Sequence, residues 1–415
     1  MIDFDRKILD NGLVLLHQYD KSTSLAAVNI LYKVGSRNEH PNKTGFAHLF
    51  EHLMFGGSAN IPEFDTPLQL VGGENNAFTN NDFTNYYITL PVDNIETAFW
   101  LESDRMLKLD FCEKSLSVQR QVVIEEFNQR YLNQPYGDAW LLLRPLAYKE
   151  HPYSWATIGK DITHIKDATL DYVKEFFYSH YAPNNAIISV VGDIDFDTTV
   201  SLVEKWFSDI PFREISKVII PDEPVQTEKR TLEVFRNVPS DSIYLAFHMC
   251  NRTHDNYYVC DLLSDLLSNG RSARLYQNLV KERQLFSEVN AFITGDIDAG
   301  LFVVTGKLNP DTTMEIAEKE FFNELNNLKS TLVDDIELQK VKNKVEATFV
   351  YNGVDVLNRA MNLCQYEFIK DADMVNTEMS RYNRVTSEHI KSIAEEIFTE
   401  ENCSVLYYRK NNNNE

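Results

Sequence analysis

A chain of 415 residues is longer than one hydrophobic core usually serves, so two lobes are expected. Its formal net charge of −22 argues against a nucleic-acid partner, which would need a basic surface; it serves solubility or draws in basic peptides. No apolar stretch approaches the roughly 18 residues of a membrane span, and residues 1–5 lack the basic start and apolar run of a signal peptide. A cytoplasmic location is therefore expected, or a periplasmic one had a leader been removed. The five cysteines (Cys112, Cys250, Cys260, Cys364, Cys403) are odd in number and scattered without a CxxC pair. They read as reduced thiols, mostly buried, and not as a disulfide framework or a thiolate metal site.

In chain order, residues 26–32 are strand-like, and residues 46–54 carry apolar side chains at helical spacing. Gly72 and Gly73 open a loop before a strand that includes Asn76, Ala77 and Phe78. Residues 117–130 have helical character. Thr169 is placed to cap a helix that leads through Asn185 into a β-rich run ending at Gly192 and Asp193. Pro211, Pro221 and Pro224 then interrupt a polar stretch. Beyond it the pattern returns: residues 243–249 are strand-like, Thr386 caps a second helix, and Asn402 opens a second β-rich run. Thr169 and Thr386 are 217 positions apart, as are Asn185 and Asn402. A tandem duplication is the reading, joined near residues 211–229. The expected fold class is α+β, with two similar lobes, each an antiparallel-rich mixed sheet covered by helices. The tail, residues 411–415, reads as disordered.

The chemistry lies in residues 46–56. Phe46, Leu49, Phe50, Leu53 and Met54 recur at helical spacing, and His48, Glu51 and His52 share one face, otherwise apolar, because residues three and four apart stack on adjacent turns. Imidazoles at i and i+4 can grip one Zn²⁺, and a Glu between them sits beside it to accept a proton from water. This His-x-x-Glu-His order inverts the commoner zinc motif and marks the inverzincin group. A catalytic zinc takes a third protein ligand and keeps an open position. In residues 117–130 a stripe of Gln119, Val122, Val123 and Glu126 turns Glu126 with the apolar side and Glu125 toward solvent. Spacing alone leaves Glu126 either a ligand or a half-exposed acid. On this reading residues 1–217 form the catalytic zinc lobe. Residues 218–415 form a similar lobe without the motif, since the positions 217 residues beyond 48, 51 and 52 hold Asp265, Ser268 and Asn269.

Several motifs then follow in order: His48–His52, residues 73–79 and 84–87, residues 122–127, His151-Pro152 with Ile158-Gly159, and residues 181–185. Together they resemble the pitrilysin/insulinase family of zinc peptidases, most closely its half-length branch that includes mitochondrial processing peptidase. The resemblance implies a zinc endopeptidase with His48, His52 and Glu126 as ligands and Glu51 as general base. It also implies that a substrate peptide adds as a β-strand along Asn76, Ala77 and Phe78.

Two positions depart from the family. Gln119 stands where many members carry an acid, and Val280 and Ser287 stand where others supply an Arg and a Tyr. The departure implies a heterodimer with a related Arg/Tyr-bearing subunit, a homodimer being the rival. A non-catalytic subunit serving assembly or peptide binding is the alternative function; the intact His48, Glu51, His52 and Glu126 weigh against it. A structural zinc site is weaker still, because no cysteine lies near the motif.

Overall fold

Two runs of the sequence are buried along their whole length: Ala26–Tyr32 and Ala186–Gly192. Such runs lack in/out alternation because both faces of their sheet are covered. In the computed structural model, which describes residues 2–215 and 218–411, they form the centre of a six-stranded sheet. The strands are β1 (Asp5–Ile8), β2 (Val14–Tyr19), β3 (Leu25–Tyr32), β4 (Glu74–Thr79), β5 (Thr84–Pro91) and β6 (Ala186–Gly192), in the order β1-β2-β6-β3-β5-β4. Only β2 and β6 run parallel. A second sheet contains β7 (Arg230–Arg236), β8 (Ser242–His248), β9 (Phe286–Ile293), β10 (Leu301–Leu308) and β11 (Cys403–Lys410), in the order β7-β11-β8-β10-β9. There β7 and β11 are the parallel pair.

Without β1, the first sheet has the same strand order and the same single parallel pairing as the second. That identity is what a tandem duplication leaves behind, and the fold is α+β with two mixed sheets, as expected. The helix caps repeat as well: Thr169 Oγ1 accepts from Tyr172 N–H and Thr386 Oγ1 from His389 N–H, each at 3.3 Å. The tail beyond Asn411, expected to be disordered, lies outside the described residues.

The compact units cut across the expected halves of 1–217 and 218–415. One contains Met1–Asn128, Trp155–Ile220 and Phe349–Asn376; the other contains Gln129–Ser154, Pro221–Thr348 and Thr377–Glu415. Burial of apolar faces explains the exchange. The late helix Val356–Ile369 sets Ala360, Leu363 and Cys364 against Leu16, Ala27, Leu31 and Ile187 of the first sheet. The early helix Ala139–Ala147 sets Ala139, Leu143 and Ala147 against Ala246, Val303 and Leu406 of the second. Among the described residues no helix is long and apolar enough to cross a membrane. All five cysteines are free thiols, with Cys260, Cys364 and Cys403 buried and Cys112 and Cys250 partly so.

Leu363 is fully buried in its helix. Truncation of Leu363 to Ala should cost about 2–5 kcal/mol in urea unfolding. A loss below about 1 kcal/mol would mean that this helix does not dock on the first sheet.

Candidate metal centre

The helix Phe46–Leu53 buries Phe46, Ala47, Leu49, Phe50 and Leu53, and His48 is buried as well. Phe50 stacks on Phe176 and Tyr181, with ring centroids 5.0 and 5.2 Å away. That grip fixes the rotation of the helix about its axis and turns His48, Glu51 and His52 together toward the opposite side. The helix begins at Gly45, whose φ of 90° only glycine adopts without strain; a Cβ there would lie 2.6 Å from the Ile158 carbonyl oxygen. Gly45 has no side chain to satisfy the orphan N–H groups of the first turn. Glu39 does so instead: its carboxyl oxygens accept from Gly45 N–H at 2.8 Å and Ala47 N–H at 2.7 Å.

The helix Glu113–Phe127 buries Leu116, Val123 and Phe127, and Cys112 Sγ caps its start by accepting from Ser115 N–H at 3.4 Å. Glu126 is half-buried beside Phe127. Glu125 is exposed and held by Gln121 Nε2 at 3.0 Å. The sequence stripe is right for Val123 and Glu126, but Val122 faces solvent at 43% exposure. The buried line runs 116, 123, 127, and a helix turn of 100° carries Val122 off it. Gln119 is half-buried two turns before Glu126.

These two helices bring three ligand atoms together. Glu126 Oε2 lies 3.5 Å from His48 Nε2 and 3.4 Å from His52 Nε2, and the imidazole centroids are 4.9 Å apart at 80°. Donors about 2.0–2.1 Å from a shared tetrahedral ion would stand about 3.4 Å apart, so the separations to Glu126 suit zinc. The two nitrogens and one oxygen are also the donor types of a catalytic zinc site. Among the described residues, no other trio of His, Cys, Asp or Glu converges in this way.

Glu51 is half-buried on the same helix face, and Thr79 Oγ1 donates to its Oε2 at 2.7 Å. Asn76, Ala77 and Phe78 lie on β4, the edge strand of the first sheet. Asn80 N–H donates to Phe83 O at 3.0 Å to close the β4–β5 hairpin. Ladder pairing alternates from that point. Asn75, Ala77 and Thr79 consequently direct their main-chain N–H and C=O away from β5. Ala77 N–H meets the side-chain oxygen of Asn76 at 2.8 Å.

In the second unit, Asp265, Ser268 and Asn269 gather no ligand set; Asn269 Nδ2 bonds Asp265 at 2.6 Å. Val280 is half-buried against that unit's core, and Ser287 is exposed on β9 with its hydroxyl 3.3 Å from Lys307 O. Neither position offers a cation or a phenol.

Residues 14–145 match the insulinase family (peptidase family M16), and residues 167–345 match the peptidase M16 inactive domain. The chain is 33% identical over 352 residues to the zinc protease PqqE of Helicobacter pylori, covering 83% of this chain and 79% of that protein. It belongs to the insulinase family of peptidases. A crystal structure of a protease from Helicobacter pylori superposes with a TM-score of 0.92 at 30% identity, covering 99% of this chain and 100% of that one. The beta subunit of the mitochondrial-processing peptidase of Saccharomyces cerevisiae is 24% identical over 366 residues, 82% of this chain and 77% of that subunit. This family member is a zinc metalloprotease homologue with a His-His-Glu metal-binding group.

Sequence reasoning missed Glu39. The signal available was a helix opening on Gly45, which has no side chain to accept from its first turn, with an acid six residues before it. Burial pushes the Glu39 carboxyl up to about 8, against the pull of the Ala47 and Gly45 amides. A raised carboxyl holds a proton in the folded chain that the unfolded chain releases above about pH 4.5. Its contribution to stability is therefore full below that pH and is lost as pH rises toward 8. Glu39→Gln should flatten this part of the pH–stability curve, measured by urea midpoints from pH 5 to 8. An unchanged slope would show that Glu39 does not carry it.

Proposed function

We propose that this chain is a zinc endopeptidase acting on extended or unfolded peptides, with His48, His52 and Glu126 as the metal ligands and Glu51 as the general base. The observation that carries this reading is the meeting of the two Nε2 atoms with one Glu126 oxygen at 3.4–3.5 Å. Bound Zn²⁺ would supply an acidified water and a polarised carbonyl. Glu51 would take the proton of the attacking water on a carboxylate oxygen and return it to the nitrogen of the leaving amine. Its place one residue before His52 puts the base at the reacting centre without a further loop.

The substrate would lie along β4. The outward N–H and C=O groups of Asn75, Ala77 and Thr79 pair with any extended backbone, whatever its side chains, while Asn76 and Phe78 meet side chains locally. Ala77 N–H would exchange its bond to Asn76 for one to the peptide. The net charge of −22 favours basic peptides through long-range attraction. Val280 and Ser287 support a related partner subunit that supplies the missing Arg and Tyr, in keeping with the subunit status of the yeast relative. Five free thiols fit a reducing compartment and support a cytoplasmic location.

Glu51→Gln should retain zinc by elemental analysis and lose at least about 100-fold in turnover of a quenched-peptide library. Cleavage near the wild-type rate would remove Glu51 as the base. Strand addition has its own test. Ala77→Pro deletes an outward N–H on an edge strand that tolerates proline. It should raise KM with little change in zinc content, and an unchanged KM would argue against pairing along β4.

A further inference from the structure

The Glu51 carboxylate is held from outside its own helix. Thr79, the last residue of β4, donates from Oγ1 to Glu51 Oε2 at 2.7 Å. A rival acceptor lies across the hairpin, where Thr84 Oγ1 is 3.5 Å from the same hydroxyl. The shorter contact also has a charged acceptor, and both differences favour Glu51. Thr84 spends its own proton elsewhere, donating to Val34 O at 2.9 Å. The hydrogen-bond direction is thereby set: a single hydroxyl proton from β4 points at Glu51.

Thr79 also joins two parts of the site. Its main-chain groups face the open edge with those of Ala77, and its side chain reaches the helix of His48 and His52. A glutamate has three rotatable side-chain bonds, so a carboxylate held only by its own helix would sample several orientations. We propose that Thr79 is a positioning residue, fixing the Glu51 carboxylate for proton transfer and tying its orientation to the strand that receives the peptide. This rests on the reading of Glu51 as base. It adds that the base is oriented by the peptide-docking strand and not by its helix alone.

The test uses the zinc-loaded protein, in whatever assembly turns over the quenched peptide, and compares Thr79→Val, Thr79→Ser, Glu51→Gln and the Thr79→Val/Glu51→Gln double variant. Valine keeps the β-branched shape and strand propensity while removing the hydroxyl. Thr79→Val should lower kcat about 10–100-fold with KM within about twofold, and with zinc content and thermal midpoint unchanged. Thr79→Ser should return kcat to within about threefold of wild type. In the Glu51→Gln background, Thr79→Val should cause no further loss, because both substitutions act through one group. Wild-type kcat in Thr79→Val, alongside an inactive Glu51→Gln, would overturn the positioning role and leave the base assignment standing. A loss confined to KM, or one that serine does not relieve, would make Thr79 a docking or packing residue. An active Glu51→Gln would overturn the base and the positioning role together.

Discussion

The centre depends on holding one oxygen of Glu126 about 3.5 Å from two imidazole nitrogens on a different helix. No disulfide or shared strand ties these helices to each other. Their spacing is set by packing: Phe50 on Phe176 and Tyr181 for one, and Leu116, Val123 and Phe127 for the other. Such packing is costly to deform, because interiors are as dense as organic crystals and small shifts lose many contacts. The ligand set is therefore assembled by apolar burial. Glu39 adds a polar anchor at the start of the His helix, where the glycine cap has no side chain to offer one.

An edge strand beside that helix is a hazard for most proteins, since unpaired main-chain groups invite association. Here β4 carries Glu74, Asn75 and Asn76 near its start, and Ala77 N–H is met by its neighbour's side chain. These features blunt the edge without closing it. A peptide that displaced the Asn76 contact would trade one hydrogen bond for another, so pairing of the kind proposed would cost little before side-chain contacts are counted. Thr79 at the end of the same strand then brings the edge within one hydrogen bond of Glu51.

The parts legible in sequence were those with a period or a local signature. His48, Glu51 and His52 could be grouped because helix geometry fixes their mutual placement, and the duplication showed as two Thr caps 217 positions apart. Glu126 was separable from Glu125 by face but was not assignable as a ligand by spacing, because its partner helix lies some seventy residues away. Val122 misled for a related reason: a valine next to Val123 reads as core until packing shows which of the two faces inward. Glu39 and the exchange of the helices Ala139–Ala147 and Val356–Ile369 between units left no periodic trace. Each depends on what a residue meets in three dimensions, and an amphipathic helix does not encode which of two similar sheets it will cover.

That ambiguity bears on how the two units diverged. Both sheets keep one strand order and one parallel pairing, so either could have supported a metal helix. The second unit keeps a helix at the corresponding place, Asn256–Ser268, yet Asp265 and Ser268 near its end and Asn269 just beyond it present no imidazole, and Asn269 is spent on bonding Asp265. Val280 and Ser287 likewise offer it neither a charge nor a phenol. What survives there is the apolar pattern, with Leu262, Leu263, Leu266 and Leu267 fully buried. Core packing tolerates the loss of polar surface residues at little cost, whereas a metal site does not tolerate the loss of one ligand. The same duplication can thus hold its fold in both copies while only one copy retains the chemistry.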